Sequence, residues 1–425
     1  MKRAMTKVGM QGASLRAALM HAAILRTIRL AAILLAVSSA PALAAEANAI
    51  HQRLLTLDSH LDTPMSFGRP GWNMMENHTY ADDLSQVDYP RMVRGGLDGG
   101  FFAIYTGQGP RTPEGYAAAR DAALKRAVEI REMVARHTGY FELATSADDA
   151  ARIVAARKRI VYQSMENAYP IGKDLSLLKT FRDLGVKMIG PVHFSNNDLA
   201  DSATDPKGAE WNGLSQLGKD FVAEANRLGI VIDASHASDL AFDQMLALST
   251  TPIVLSHSGA KAVFNHPRNI DDERIRKLAA AGGVIQINSY SDYMVRVPET
   301  PELDAELRAL GQKYGSYRTL SGATFRTYVQ ERRAIEAKYP VPRATMNDLM
   351  AHILHALKLV GADHVGIGLD LDGGGGVTGL DDVEGIPEIT RRLLAAGYGE
   401  SDLAKIWGGN VLRLLREADA KATVR

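Results

Sequence analysis

Short apolar runs alternate with longer segments of mixed polarity from residue 54 to the end of the chain. The runs are rich in Ile and Val and are apolar at consecutive positions, as expected for strands of a parallel sheet that is buried on both faces. We predict eight strands, at 54–58, 99–106, 159–165, 186–192, 229–235, 251–256, 283–289 and 364–369.

The segments between these runs place apolar residues at helical spacing. One of them begins near Ser215, which favours a helix N-cap, and ends at Gly229, which favours a C-cap. The predicted helices are 114–137, 214–227, 271–281, 345–360, 386–396 and 401–417. Strands that alternate with helices in this way predict an α/β fold, a TIM-like (β/α)8 barrel. An open doubly wound parallel sheet is the alternative.

One connection is much longer than the others. Between the seventh and eighth predicted strands, the stretch 301–342 is rich in Arg, Glu, Lys and Tyr. We predict a helical insertion at about 291–344 that packs over one face of the barrel. Because no repeat and no Pro- or Ser-rich linker divides the rest, 45–425 is predicted to be a single catalytic domain.

The N-terminal segment has the pattern of a targeting signal. Basic residues precede an apolar run at 30–40, whose length is typical of a signal-peptide core, and Ala42-Leu43-Ala44 supplies an A-x-A cleavage site. We predict that 1–44 is a cleaved signal peptide, with Met20 as an alternative start and an uncleaved membrane anchor as the alternative reading. The expected location is secreted or periplasmic in a bacterium-like cell.

Composition and charge exclude several classes of protein and several types of site. The 425 residues contain 49 Lys and Arg and 49 Asp and Glu, and this balance argues against a nucleic-acid-binding protein. There is no cysteine, so disulfides, Cys-ligated zinc, thiol nucleophiles and a lipid anchor on cysteine are excluded. Any metal site must therefore be built from His, Asp and Glu.

Histidine and acidic residues follow the predicted strands. In (β/α)8 enzymes the active site forms at the carboxyl ends of the strands, and four of the 12 histidines fall there. The residues at these ends are His60 and Asp62 (strand one), Glu166 (three), His193 (four), His236 (five), His257 (six) and Asp370 (eight). Each alone is more often a structural residue, but the joint pattern predicts that they meet in a metal centre.

The residue types indicate the kind of metal. Imidazoles and carboxylates without thiolates suit Zn²⁺, Mn²⁺, Fe²⁺ or Co²⁺. Glu166 can bridge two ions through its two oxygens, and a metal pair lowers the pKa of bound water so that a nucleophile exists at neutral pH. Asp370 can then take and return the proton. A metal-free barrel used only for binding is the competing hypothesis from another class.

Some neighbouring residues have two interpretations. Arg268 is predicted to neutralise a substrate carboxylate, or alternatively to form a salt bridge with Asp271 or Asp272. Asp58 and Asp233 are predicted to be orienting groups or polar groups of the barrel interior, and His352 and His355 are predicted to be structural residues. The glycine run 373–376 is expected to form a loop that borders the site.

Several motifs, taken together, resemble the membrane (renal) dipeptidase family of binuclear zinc peptidases, in the amidohydrolase-like barrel group. They run in order from residue 54 to about 415, which is most of the predicted mature chain. The motifs are DSHLD, GGLDGGFFAIYT, WNGLSQLGKDFVAEANRLGIVIDASH, PIVLSHSGA, HPRNIDD and GIGLDLDG.

The resemblance implies a role for each site residue. It implies two Zn²⁺ ions per subunit, one bound by His60 and Asp62 and the other by His236 and His257, with Glu166 bridging them. It also implies that His193 binds the scissile carbonyl or its oxyanion, that Arg268 holds the terminal carboxylate, and that Asp370 transfers the proton.

The implied activity is hydrolysis of dipeptides, with a D-residue tolerated at the C-terminal position. A related metal hydrolase that acts on other amides, β-lactams or lactones is the alternative. The resemblance also implies a homodimer, and we expect no stable membrane anchor.

Three features depart from the family pattern. Leu61 occupies a position where Asn is usual, and Asn167 one where Gly is common. The insertion at about 291–344 is expected to be absent from the animal enzymes. Because an insertion can reshape the pocket, substrate preference is the least determined property.

Overall fold

The structure is a computed structural model and describes residues 44–423. The chain divides into a unit that ends at Gln52, in which 44–51 form a helix (α1), and a unit from Arg53 onward that contains all the strands found in 44–423. The predicted signal peptide, apart from Ala44, lies outside the described residues. Within 44–423, no helix is both long and apolar enough to cross a bilayer.

Each of the eight predicted strands has a counterpart in the structure, although the bounds differ. Two short strands, β3 and β8, add to them. The strands are β1 (Leu57–Leu61), β2 (Gly99–Tyr105), β3 (Phe141–Leu143), β4 (Arg159–Glu166), β5 (Val186–Ile189), β6 (Val231–Ile232), β7 (Val254–Ala260), β8 (Asn269–Ile270), β9 (Val284–Ile287) and β10 (Val365–Ile367).

The strands form a closed parallel ring. One sheet has the order β1-β2-β4-β5-β6 and the other β10-β9-β7-β8, and all strand pairs are parallel. Parallel bridges join the two sheets at both edges, between Asp233 and Val254 and between Leu61 and Leu371. The (β/α)8 barrel is therefore confirmed, and the open-sheet alternative is wrong. β3 and β8 pair with β4 and β7 outside the ring.

Helices surround the ring, and all six predicted helices overlap helices of the structure. They are α2 (Tyr80–Asp83), α3 (Tyr89–Gly95), α4 (Pro113–Arg136), α5 (Asp149–Ala155), α6 (Leu177–Asp183), α7 (Gln216–Leu228), α8 (Asp239–Leu248), α9 (Asp272–Ala280), α10 (Pro301–Tyr314), α11 (Gly322–Lys338), α12 (Met346–Val360), α13 (Pro387–Ala395), α14 (Glu400–Ala404) and α15 (Asn410–Lys421).

Local structure explains where α7 begins and ends, and why the predicted helix 401–417 is not continuous. The Ser215 side chain accepts a hydrogen bond from the backbone of Gly218 at the start of α7, and Gly229 ends that helix with a φ of 67°. The predicted helix 401–417 is interrupted, because the π-helical turn Lys405–Gly409 separates α14 from α15.

The amino-terminal halves of the strands hold a large apolar core. Leu57, Phe101, Tyr162, Met188, Val231, Val254 and Val284, each from a different barrel strand, are almost fully buried together with residues of α15. The rings of Phe101 and Tyr162 stack with centroids 4.9 Å apart. This end of the barrel supplies stability, which leaves the carboxyl ends free for polar residues.

The segment predicted as a helical insertion contains α10 and α11. These helices share a small core of their own, built from Leu310, Phe325, Tyr328 and Val329. The guanidinium of Arg69, from the loop after β1, lies 4.1 Å from the centre of the Phe325 ring. The segment therefore packs against the loop that follows β1, at the carboxyl ends of the strands.

Candidate metal centre

The predicted site residues all lie at the carboxyl-end half of the barrel. Glu166 is the last residue of β4, and Asp62, His193, His236 and Asp370 follow β1, β5, β6 and β10. His60 and His257 lie inside β1 and β7, because these strands extend further than the apolar runs suggested.

Glu166 lies at the centre of the cluster. Its Oε1 is 2.9 Å from Nε2 of His236, 3.3 Å from Nε2 of His257 and 3.6 Å from Nε2 of His193. Its Oε2 is 3.6 Å from Nε2 of His60. One carboxylate therefore faces imidazoles on both sides, which is the geometry required of a bridging ligand.

The remaining contacts define two ends of the cluster. Nε2 of His60 lies 3.4 Å from Oδ2 of Asp62 and 4.0 Å from Oδ1 of Asp370. At the other end, Nε2 of His236 lies 2.9 Å from Nε2 of His257. Three overlapping triads have potential ligand atoms within 4.8 Å of one another: His60-Glu166-His257, Glu166-His193-His236 and His60-Asp62-Asp370.

The donor set fits a metal ion such as zinc. His60, Asp62, Glu166, His236 and His257 are all buried, with exposed fractions of 1–6%. Nε2 of His60 and Oδ1 of Asp62 have no hydrogen-bond partner within residues 44–423. Buried polar atoms without partners are costly, and a cation bound between them would remove that cost.

Burial sets the charge state of two imidazoles. It lowers the pKa of His236 well below the ordinary histidine value and that of His257 to about 4. Both rings are therefore neutral at physiological pH, the form that binds metal. Burial also opposes protonation of His60, but the carboxylates of Glu166 and Asp62 outweigh it and raise the His60 pKa well above its ordinary value. The acidic end of the cluster thus attracts positive charge.

Asp370 is a candidate proton carrier. Burial, reinforced by the nearby carboxylates of Asp62 and Glu166, raises the pKa of Asp370 well above its ordinary range. Its backbone has a φ of 62°, a strained conformation for a non-glycine residue. A Cβ at Gly373 would collide with the carboxylates of Asp62 and Asp370, so only glycine fits beside them.

Hydrogen bonds fix the orientation of His257. Nδ1 of His257 lies 2.8 Å from Oγ of Ser256, and that hydroxyl donates to Oδ2 of Asp233 at 2.5 Å. Because the hydroxyl proton points to Asp233, the His257 ring donates through Nδ1 and keeps an unprotonated Nε2 towards Glu166. Asp233 therefore acts on the site through Ser256.

Asp58 supports the site through the backbone. Its carboxylate accepts hydrogen bonds from the backbone N–H groups of His60, at 2.9 Å, and of Leu369, at 3.1 Å. Burial raises the pKa of Asp58 to about 7. This residue ties β1 to the end of β10 and does not contact the imidazoles through a hydrogen bond of its own.

Arg268 is buried beside the cluster. It is 3% exposed, its Nη2 donates to the His257 carbonyl at 3.1 Å, and its guanidinium lies 5.2 Å from the centre of the Tyr293 ring. The alternative salt bridges are not formed: Asp271 pairs with Arg274, and Asp272 with His355. Nε of Arg268 has no hydrogen-bond partner within the described chain, so this cation retains capacity to bind an anion.

His193 lies at the edge of the cluster among aromatic rings. Ring centroids place it 4.1 Å from His236, 3.9 Å from Phe194 and 5.0 Å from Tyr105. Its carbonyl accepts a hydrogen bond from Ser202 Oγ at 2.6 Å. Burial lowers the His193 pKa, so the ring is neutral and can donate one hydrogen bond into the pocket.

The two residues that depart from the family pattern, Asn167 and Leu61, have structural roles of their own. Asn167 has a φ of 66°, in the left-handed region that glycine favours and asparagine tolerates, and its side-chain amide donates to the carbonyl of Thr106. Leu61 is fully buried, and its backbone forms the bridge to Leu371 that closes the ring.

The two histidines of α12, His352 and His355, form hydrogen bonds outside the metal-ligand cluster. Nδ1 of His352 accepts from the backbone of Ala260 at 3.0 Å, and burial lowers the His352 pKa to about 4. Nε2 of His355 lies 2.7 Å from Oδ1 of Asp272. Both contacts hold α12 against its neighbours.

A cavity of about 190 Å³ opens onto the cluster. Sequence reasoning missed several residues that line it: Met65, Tyr105, Phe194, Tyr290, Tyr293 and Arg318. Tyr105 ends β2 and Tyr290 follows β9, so the strand-end rule applied to those two strands would have found them. Arg318 lies in the segment between α10 and α11, and no local signal in the sequence marks it.

A buried cluster of His, Asp and Glu at the carboxyl ends of a (β/α)8 barrel is typical of metal-dependent hydrolases. The family model for membrane dipeptidases, peptidase family M19, matches residues 44–425. The chain therefore belongs to this family and is a metallopeptidase that acts as a dipeptidase.

Solved structures with the same architecture carry related names. The probable dipeptidase PvdM from Pseudomonas aeruginosa is 33% identical, with a TM-score of 0.76 over 90% of this chain and 100% of that one. A metallo peptidase from Rhodobacter sphaeroides, liganded with a phosphinate mimic of the dipeptide L-Ala-D-Ala, is 26% identical, with a TM-score of 0.67 over 86% of this chain and 99% of that one.

A curated relative agrees with this assignment. The dipeptidase tcpJ from Claviceps purpurea is 29% identical over 344 residues, which is 80% of this chain and 70% of the relative.

Proposed function

We propose that this protein is a zinc-dependent dipeptidase with two ions bridged by Glu166. The observation that carries the proposal is the position of that carboxylate, with one oxygen 2.9 Å from Nε2 of His236 and the other 3.6 Å from Nε2 of His60. Two bound zinc ions would supply an activated water at neutral pH and polarise the scissile carbonyl.

The ligands divide between the two ends of the cluster. His60 and Asp62 would hold one ion, and His236 and His257 the other. This division is supported by the 3.4 Å separation of His60 and Asp62 and by the 2.9 Å separation of the other two imidazoles. The neutral state of His236 and His257, which follows from their burial, is the state that binds zinc.

Arg268 would bind the C-terminal carboxylate of the dipeptide. Its guanidinium is buried without a carboxylate partner among the described residues, and it is fixed by the His257 carbonyl and the Tyr293 ring. A fixed guanidinium suits bidentate recognition of a carboxylate. Such a contact would select substrates with a free carboxyl end.

Two residues would serve the reacting bond. Asp370, whose pKa is raised by burial, would take a proton from the attacking water and return it to the leaving amine. His193 borders the same cavity as Asp370 and would donate a hydrogen bond to the carbonyl oxygen as negative charge develops there.

A D-residue at the C-terminal position is part of the proposal. It is supported by the Rhodobacter sphaeroides peptidase, whose ligand mimics L-Ala-D-Ala. The test is a library of dipeptides with L- or D-second residues, assayed with zinc-reconstituted protein beside β-lactams and lactones. Cleavage of L,L- and L,D-dipeptides that disappears on chelation is expected. Cleavage of lactams or lactones without dipeptides would reject the proposed substrate class.

We also propose export of the mature enzyme to the periplasm or medium. The basic and apolar pattern of 1–44 with its A-x-A site supports this. N-terminal sequencing of the protein from cell fractions is the test, and Ala45 as the first residue of an exported form is the expected result.

A homodimer is proposed from the family resemblance alone. Light scattering of the purified mature chain tests it, and a mass near one subunit at all concentrations would reject it.

A further inference from the structure

An arginine reaches the catalytic cavity from the segment between α10 and α11. Arg318 belongs to the short 3-10 helix Tyr317–Thr319, which connects α10 and α11, and it lines the cavity together with Asp62, Glu166 and Asp370. The segment that contains α10 and α11 therefore contributes a charged side chain to the site.

The hydrogen-bond partners of Arg318 are neutral groups. Its Nη1 donates to Sδ of Met65 and its Nε donates to the hydroxyl of Tyr317 at 3.2 Å. Across residues 44–423, no carboxylate lies within 4.0 Å of its guanidinium nitrogens. The nearby Arg126 differs, since it pairs with Glu129 at 2.9 Å. A half-buried guanidinium without a counter-ion favours binding of an anion.

Arg318 and Arg268 contact opposite sides of the strand ring. Arg318 lines the cavity, whereas Arg268 packs against Tyr293, which lines it. Arg268 contacts the carbonyl of His257 in β7, whereas Arg318 contacts Met65, just after β1, and lines the same cavity as Tyr105 at the end of β2. In the ring order β1-β2-β4-β5-β6-β7-β9-β10, β2 and β7 are diametrically opposed. The cluster centred on Glu166 lies between the two cations.

This arrangement has a consequence for a bound dipeptide. If Arg268 holds the C-terminal carboxylate and the peptide carbonyl lies at the cluster, the N-terminal residue extends towards the wall formed by Met65, Tyr105 and Arg318. Its side chain then meets a cation that pairs with no carboxylate among the described residues. We propose that Arg318 selects dipeptides whose N-terminal residue has an acidic side chain, an inference that rests on the proposed dipeptidase function.

A matched substrate pair isolates this charge. L-Glu-L-Ala and L-Gln-L-Ala have the same shape and differ in the charge of the first side chain. We expect the zinc-loaded enzyme to prefer L-Glu-L-Ala by about tenfold in kcat/KM, the scale of one charge-assisted hydrogen bond. Arg318→Gln should remove this preference, so that the ratio of kcat/KM for the two substrates falls to about one. Arg318→Glu should shift the preference towards L-Lys-L-Ala.

Controls separate the charge from folding. Arg326→Gln changes an exposed arginine of α11 and should keep the wild-type ratio for the two substrates. Zinc content and melting temperature, measured for every variant, report whether the barrel is intact. Arg318→Lys keeps the charge and should retain part of the preference.

The outcomes distinguish this inference from the proposed function. If wild-type enzyme cleaves L-Gln-L-Ala but its ratio for the two substrates is unchanged in Arg318→Gln, the role of Arg318 is rejected and the dipeptidase proposal stands. An equal rise in KM for both substrates would assign Arg318 to a group common to all dipeptides and would also reject it. A zinc-loaded enzyme that cleaves no dipeptide would reject both proposals.

Discussion

Oε1 of Glu166 lies 2.9 Å from Nε2 of His236, although the two residues stand at the ends of different strands, β4 and β6. The strand between them, β5, pairs with both, so the curvature of the ring brings the two side chains together. The backbone of His236 has a φ of 69°, an unusual conformation that turns its ring towards the carboxylate. The metal centre therefore depends on closure of the barrel.

Glu166→Gln should remove the proposed bridge between two zinc ions. The amide keeps the shape of the side chain but loses the charge and one acceptor, so bound zinc should fall from roughly two ions per chain to one or none, with activity lost in parallel. Elemental analysis of dialysed protein with a dipeptide assay measures both. Glu132→Gln, on the exposed side of α4, is the matched control. Full activity with normal zinc in Glu166→Gln would contradict the bridging role.

Asp370→Asn should separate proton transfer from metal binding. Removal of a general acid-base group lowers kcat by about 10²–10⁴-fold, whereas zinc content should stay close to the wild-type value. Steady-state kinetics and elemental analysis of the same preparation provide the two measurements. A loss of zinc as large as that in Glu166→Gln would instead make Asp370 a ligand, since its Oδ1 lies 4.0 Å from Nε2 of His60.

Arg268→Ala should weaken binding of a free carboxylate. A charge-assisted contact of this kind contributes about 1.5–3 kcal/mol, so kcat/KM for dipeptides should fall roughly 10–100-fold, mostly through KM. Dipeptide amides lack the carboxylate and should be affected far less. Comparison of each dipeptide with its amide in wild type and variant measures the difference. Equal losses for both substrates would argue against the carboxylate role.

Ser256→Ala should weaken zinc binding without touching a ligand. The variant removes the hydroxyl that connects Nδ1 of His257 to Asp233, so the imidazole loses its fixed tautomer and orientation. Loss of such a supporting hydrogen bond costs about 10–100-fold in metal affinity. Competition with a chromophoric chelator gives the affinity for zinc. Ser401→Ala, at an exposed position of α14, is the control. Unchanged affinity would mean that the connection has no effect on the metal.

Asp83 should contribute to stability in a pH-dependent manner. Burial opposes its ionisation, but hydrogen bonds from His78 and Ser85 and the charge of Arg69 lower its pKa from 3.8 to about 2. A depressed pKa stabilises the fold above the unfolded value, and this contribution is lost as pH falls towards 2.

Asp83→Asn should therefore cost about 1–2 kcal/mol near neutral pH, after allowance for partial exposure, and almost nothing at the acid end. Denaturant unfolding of wild type and variant, at neutral pH and near pH 2, measures this difference in the free energy of unfolding. Asp121→Asn, at an exposed position, is the control. A difference independent of pH would show that packing, not charge, is responsible.

Most of the catalytic cluster could be predicted from sequence because strand ends are local features. The apolar run before Asp58 and the run before Glu166 each mark a strand, and the fold class assigns their carboxyl ends to the site. The bounds were less certain, since His257 lies in the middle of β7. Where a strand continues through polar residues, hydrogen bonds to the neighbouring strands hold it. The apolar pattern of the strand itself does not predict those hydrogen bonds.

Arg318 shows the limit of such reasoning. Its neighbours in the sequence are those of an ordinary charged surface segment, and only the packing of α10 and α11 against the loop after β1 brings it to the cavity. The salt bridges considered for Arg268 show the same limit. Asp271 and Asp272 are close to Arg268 in the sequence, but in the fold they pair with Arg274 and His355.

The sequence by itself determined eight strands, their helical connections and the chemical identity of the groups at the strand ends, because hydrophobic periodicity and residue type are properties of short segments. Only the tertiary structure decided that the two sheets join through Asp233–Val254 and Leu61–Leu371, and that Arg268 and Arg318 contact opposite sides of the ring. These relationships depend on closure of the ring, in which residues distant along the chain become neighbours.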